Sequence, residues 1–168
     1  MQGFLRLVQL LTVVIWVGGL IFFAFVLAPV AFHALPSVHE AGLVVGACLR
    51  VFDVVGLACG AVFLTVTAIL FRGSPNRIKG RYEMQFLLTL VMLLATAYIH
   101  FNILPLMDDD RRLAGGDITT AEPTNPARIH FDKLHARSER AEGLVLITGL
   151  IVIFLISREQ APFEPAHS

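Results

Sequence analysis

WVGGLIFFAFVLAPVAF, residues 16–32, carries no charged side chain. Extended backward it becomes an apolar run near residues 4–28 whose one charge is Arg6. A helix rises about 1.5 Å per residue, so roughly 20 apolar residues cross a hydrocarbon core. The run is long enough to span a bilayer, and longer than the hydrophobic segment of a cleavable signal peptide, so it reads as a retained anchor. Within it Gly18 and Gly19 permit a neighbouring helix to approach closely, and Pro29 is expected to kink or end the helix.

Three further apolar runs follow, near residues 41–71, 84–106 and 143–157. Across the 168 residues 56% are hydrophobic and the mean hydropathy is +0.74, against roughly 45–50% apolar residues in ordinary soluble domains. The expected fold is all-α: a polytopic membrane protein, a four-transmembrane-helix bundle, in one domain over residues 1–158 with a flexible tail at 159–168. The uninterrupted run from Leu144 to Ile156 is too short to cross alone. A longer helix starting near Ala127 or Arg128 resolves this, giving a span near 132–157 with a charged N-terminal extension.

The connections are written in Pro, Gly and charge. His33, Pro36, His39 and Glu40 follow the first span, and Arg72, Gly73 and Pro75 close the second ahead of a basic connector with Arg77, Lys79 and Arg81. The third span is expected to end at Pro105 and Met107. Asp108, Asp109, Asp110, Gly115, Gly116, Pro123 and Pro126 then read as a loop outside the membrane. Four spans place Arg6, the basic connector and Arg158 on one side, which the positive-inside rule makes cytoplasmic. The expected location is a bacterial inner membrane with both termini in the cytoplasm.

A formal net charge of zero and no extended basic stripe leave no nucleic-acid footprint. Cys48 and Cys59, about 16 Å apart along one helix, cannot bond to each other and read as inert thiols. The expected partners are the lipid bilayer and either a second copy of the chain or another membrane protein.

Polar residues inside the spans carry the functional questions. Arg50 and Asp53 interrupt the second span, where an ion is expensive enough to need a partner or a role. Asp53 shares an arc of about 80° with Gly42, Gly46, Gly56 and Gly60 at 100° per residue, so it is expected to face packed protein. The glycines there, with Gly18 and Gly19, read as helix-packing positions, and a local Arg50–Asp53 ion pair is the ordinary explanation of the two charges. In the third span Gln85, Thr89, Thr96, His100 and Met107 recur on one face. Asp132, His135, Glu139 and Glu142 converge on one face of the last helix, where cross-pairing with Lys133, Arg137 and Arg140 is the ordinary explanation.

Arg50, Asp53, His100, His135 and Glu139 are the candidates for a polar interior. His100, Asp132, His135 and Glu139 are the candidate metal ligands, and His100 with His135 could serve as axial haem ligands. No metal, haem or other cofactor is firmly implied. Phosphate-loop, zinc-hydrolase and Ser-His-Asp signatures are absent from the sequence, so an enzyme is not expected.

Three segments together resemble a known family: WVGGLIFFAFVLAPVAF, Pro36 with Ala41-Gly42 opening the second span, and FDKLHARS from Phe131 to Ser138. They are similar to the transmembrane protein 205-like family, also described as domain of unknown function 4149, with Trp16, Gly18, Gly19, Pro29, His135 and Ser138 as matching positions. The resemblance implies a compact four-helix membrane protein without defined catalytic residues. It also implies a distant architectural likeness to the membrane part of copper-resistance proteins, and links to eukaryotic relatives associated with drug or metal tolerance. Three readings follow: handling of a metal ion or small solute, a scaffold or accessory subunit of a membrane complex, and a haem or redox protein.

Overall fold

A computed structural model of the chain describes residues 2–158; the tail expected at 159–168 lies outside the described residues. Four long helices run up and down: α1 (Gln2–Ala34), α2 (Val38–Arg72), α3 (Asn76–Leu113) and α4 (Pro126–Ser157). Each packs chiefly against its two neighbours in the ring α1, α2, α3, α4. Within the most apolar window of each helix only 28% to 33% of the residues are buried in the bundle. The remaining apolar surface needs a lipid solvent, so this is a polytopic all-α membrane bundle.

Capping sets where the helices begin. The Ser37 hydroxyl accepts a 3.1 Å hydrogen bond from the Glu40 amide at the start of α2, satisfying one of the donors that a first turn leaves open. The Asn125 side chain does the same for the Ala127 amide at the start of α4, where Pro126 occupies the first helical position. Starting there, α4 contains the whole charged extension expected from the sequence.

The expected helix end at Pro105 is overturned, and of the two outcomes expected at Pro29, a kink or an end, the end does not occur. Neither Pro29 nor Pro105 stops its helix, because a π turn precedes each: Phe23–Leu27 closed by the Ala28 amide on the Phe23 carbonyl, and Ile99–Ile103 closed by Leu104 on Ile99. The wider turn absorbs the missing N–H and the clash that a proline imposes on the carbonyl four residues back. Accordingly α1 continues to Ala34 and α3 to Leu113, and Asp108, Asp109 and Asp110 lie in helix instead of loop. The connection at 114–125 begins with Gly115 and Gly116 at φ of +87° and +103°, the left-handed region that glycine enters without a Cβ penalty. It tucks Ile118 into the protein.

Three apolar layers fill the bundle. Trp16, Val17, Phe63, Met92 and Val152 form the middle. Phe23, Leu49, Ile103, Met107 and Leu134 lie toward the 114–125 loop, and Val66, Leu70 and Tyr82 toward the α2–α3 turn. The middle layer closes because the glycines beneath Trp16 have no side chain. A Cβ on Gly60 would lie 2.8 Å from the indole, and one on Gly149 would collide with Val17.

Candidate functional site

Polar side chains gather at two levels on either side of the Trp16 layer. Toward the α2–α3 turn, Gln9 is wholly buried and donates 2.9 Å hydrogen bonds to Thr67 Oγ1 and Gln85 Oε1. This joins three helices with bonds between side chains, the ordinary glue of membrane bundles. Nothing in the sequence marked Gln9, a solitary amide in an apolar run.

At the second level Asp53 of α2 is 4% exposed, and its Oδ2 stands 3.6 Å from His100 Nδ1 of α3. Neither atom has a hydrogen-bond partner among the described residues. His100 reaches this place because it lies in the π turn before Pro105. Beside the pair, Glu142 of α4 accepts a 2.8 Å hydrogen bond from Ser138. Asp53, Thr96, Trp16 and Glu142 line a chamber of about 10 Å³, room for about one water molecule.

The expected Arg50–Asp53 pair does not form. Arg50 instead pairs with Asp108, which the continuation of α3 past Pro105 brings alongside α2. Arg111 holds the other oxygen of Asp108 at 3.2 Å and stacks 4.9 Å over the Phe131 ring. The last-helix charges behave differently from expectation too. His135 pairs with Glu139 at 3.3 Å, while Lys133, Arg137 and Arg140 make no ion pair among the described residues. All three point outward around α4, away from the face shared by His135 and Glu142.

Above the small chamber opens a cavity of about 780 Å³ between α1, α2 and α4, beneath the 114–125 loop. Its walls are Phe23, Phe25 and Phe32 on α1, Val45 and Leu49 on α2, and Phe131 and Leu146 on α4. Its polar side chains include His135, Glu139 and Glu142, with Arg111 and Arg128 at the loop end. Glu142 lines both spaces. The loop is tied over the opening where His39 Nδ1 meets Asp117 Oδ1 at 3.2 Å. Asp117 accepts from both the amide and hydroxyl of Thr119; these bonds first, then His39, hold its carboxyl below the usual carboxylate range.

The glycines divide by neighbour. Cβ atoms on Gly19, Gly56 and Gly60 would strike Phe52 or Trp16, so these three permit close helix contact. Gly18 and Gly46 have nothing within 4 Å, and Gly42 meets only the tip of Arg111. Gly42 and Gly46 therefore open the cavity wall instead of receiving a helix, and Gly18 is exposed outside the bundle.

Among the described residues no three His, Cys, Asp or Glu side chains converge as a metal-ligand group. His135 and Glu139 stay together as neighbours on α4 and Asp132 lines the same cavity. His100 does not line that cavity, so the candidate metal set and the candidate haem pair are each split between two places.

Fold and site together define a four-helix membrane protein with a cavity between its helices, Glu142 at its base and Asp53 in the small chamber behind. The chain belongs to the family described as Domain of unknown function (DUF4149), whose pattern matches residues 11–111. The matched region takes in α1 from Leu11, all of α2 and nearly all of α3, and so Trp16, Asp53 and His100, but not Glu142. No curated protein and no solved structure matches the chain.

Proposed function

We infer that this is a non-enzymatic, transmembrane protein 205-like protein of a bacterial inner membrane that binds and handles a small organic solute. The observation that carries this reading is the cavity of about 780 Å³, within the range of roughly 300–1,000 Å³ typical of small-molecule sites. Apolar aromatic walls with a few convergent polar groups suit an organic molecule better than a bare metal ion, which asks for several oxygen, nitrogen or sulfur ligands at once. The basic connector Arg77, Lys79 and Arg81 supports cytoplasmic termini, and the cavity then opens toward the opposite face. Residues 2–158 form the single membrane domain in this reading.

Native mass spectrometry of protein released from mild detergent tests it. The wild type is expected to carry a bound molecule of a few hundred daltons, and Gly46→Leu, which fills open cavity space, is expected to lose it without loss of fold. A wild type that never carries or accepts an organic ligand counts against the reading.

A scaffold role, as a homo-oligomer or an accessory subunit, is favoured by a different observation. Gly18 presents a flat, open position on the outer face of α1 beside exposed Val14, Ile15 and Phe22, where a second helix would find close approach. Gly18→Cys in a chain with Cys48 and Cys59 replaced by serine, crosslinking in the membrane, would support it; exclusively monomeric protein would not.

A further inference from the structure

Resting on the solute-cavity reading, we propose that the ligand is a lipophilic organic cation, an apolar body with one fixed positive charge of the quaternary ammonium or phosphonium class. Its charge sits at Glu142 with Asp53 behind it, and its body lies against Phe23, Phe25 and Phe131.

The charge balance at the base of the cavity is the first argument. Asp53 is 4% exposed, with an oxygen that no hydrogen bond satisfies and His100 as its nearest base at 3.6 Å. Glu142, among the described residues, accepts only from the neutral Ser138 hydroxyl. Among the described residues no arginine or lysine forms an ion pair with Asp53, Glu139 or Glu142. A buried carboxylate short of partners is costly, and a cation arriving beside it removes that cost. Of the aromatic rings lining the space, Phe23 and Phe25 are not covered by Arg111 and can add cation–π attraction, which grows as the charge is desolvated.

Position along the helices is the second argument. Of the cavity's arginines, Arg111 and Arg128 belong to its loop end, and Arg50, one turn before Asp53 on α2, turns its guanidinium away to Asp108. Arg50 and Arg111 share Asp108, and Arg128 donates to the Ala121 carbonyl at 2.6 Å. Fourteen residues of α4 separate Arg128 from Glu142, about 21 Å along the axis. No arginine is paired with the carboxylates at the deep end among the described residues, so a cation that reaches them meets negative charge without a competing partner. From Ser157 to Glu142 is about 22 Å, which leaves Glu142 inside a hydrocarbon core of about 30 Å. A hydrated inorganic ion reaches that depth at high cost, whereas a lipophilic cation already partitions there.

The test uses two rigid ions of the same shape and opposite charge, radiolabelled tetraphenylphosphonium and tetraphenylborate. Each is equilibrated with the full chain in maltoside micelles, with empty micelles subtracted. Tetraphenylphosphonium is expected to bind at about one per chain and at least tenfold more tightly than tetraphenylborate. Trp16 is the one tryptophan in the sequence and lines the chamber with Asp53 and Glu142, so its emission should change with the cation and not with the anion. Glu142→Gln should cut cation affinity at least tenfold, and Asp53→Asn serves the same purpose if that variant does not fold. Equal or tighter binding of tetraphenylborate would overturn the cation assignment while leaving the solute cavity standing. Wild-type selectivity that both carboxylate variants retain would overturn the placement of the charge. Binding of neither ion would overturn the cation assignment, and the solute cavity falls with it only if native mass spectrometry also finds no organic ligand.

Discussion

A Cβ built on Gly56 would lie 2.5 Å from the indole Nε1 of Trp16. One turn further on, the same ring closes over Gly60, so two positions of α2 are held free of side chains for a single residue of α1. The indole is 2% exposed, and it separates the Gln9 network from the chamber of Asp53 and Glu142. Replacing Gly56 or Gly60 by alanine forces the ring or the helix to move, an overpacking cost of about 1–3 kcal/mol. Gly46→Ala meets nothing within 4 Å and gains helix propensity of up to about 1 kcal/mol. Thermal unfolding followed by Trp16 emission should therefore fall for the first two and hold or rise for the third. Equal losses at all three positions would show that Trp16 does not set the α1–α2 distance.

The Asp53–His100 relationship predicts non-additivity. Removing one member of a buried pair leaves the other without compensation, while removing both does not. His100→Ala should destabilise, and Asp53→Asn in the same chain should recover part of the loss, a coupling of about 0.5–3 kcal/mol. A double-mutant cycle of unfolding free energies measures it. Strict additivity would mean that the two side chains do not sense each other across α2 and α3.

How much of this could be read from the sequence depends on the distance over which each cause acts. The four spans were legible because hydropathy over about 20 residues answers to the thickness of a bilayer, whatever the packing. The continuation past Pro105 was not, nor was the choice between kink and end at Pro29, because a π turn spreads the proline's demand over the five preceding residues and no residue type announces it. That one difference propagated to the site. By carrying α3 on to Leu113 it delivered Asp108 to Arg50, and so freed Asp53 for His100. The helical period did place His135, Glu139 and Glu142 on one face of α4, but a period cannot say which of them stands at the base of a cavity.

Gln9 tests the other polar level. Its amide holds Thr67 and Gln85 together at a site with no exposure to solvent. Gln9→Leu loses both bonds, at about 0.6 kcal/mol for an average interhelical bond in a membrane and more where an acceptor is stranded. A loss of about 1–3 kcal/mol is expected from steric-trap or detergent unfolding. Thr12→Val removes a hydroxyl that among the described residues bonds only to carbonyls of its own helix, and should change stability by less than about 0.5 kcal/mol. A larger effect at Thr12 than at Gln9 would contradict the network's role in joining α1 to α2 and α3.

The tie across the cavity opening should respond to acid. Thr119, through its hydroxyl and amide, and then His39 hold the Asp117 carboxyl below its ordinary value of 3.8. A group with a depressed folded pKa contributes its stabilisation in full above the unfolded pKa and loses it as pH falls through the folded one. Above about pH 4 the loop should therefore stay closed on His39, and below that it should loosen progressively as the carboxylate takes a proton and ceases to accept from Thr119. The protection factor of the Thr119 amide, corrected for its intrinsic exchange rate, measures this directly. Asp117→Asn should lower protection at neutral pH and abolish the acid step, because the amide cannot ionise and attracts His39 no further. An acid step that persists in the variant would assign the response to another carboxylate at the loop end, with Asp110 beside His130 the next to examine.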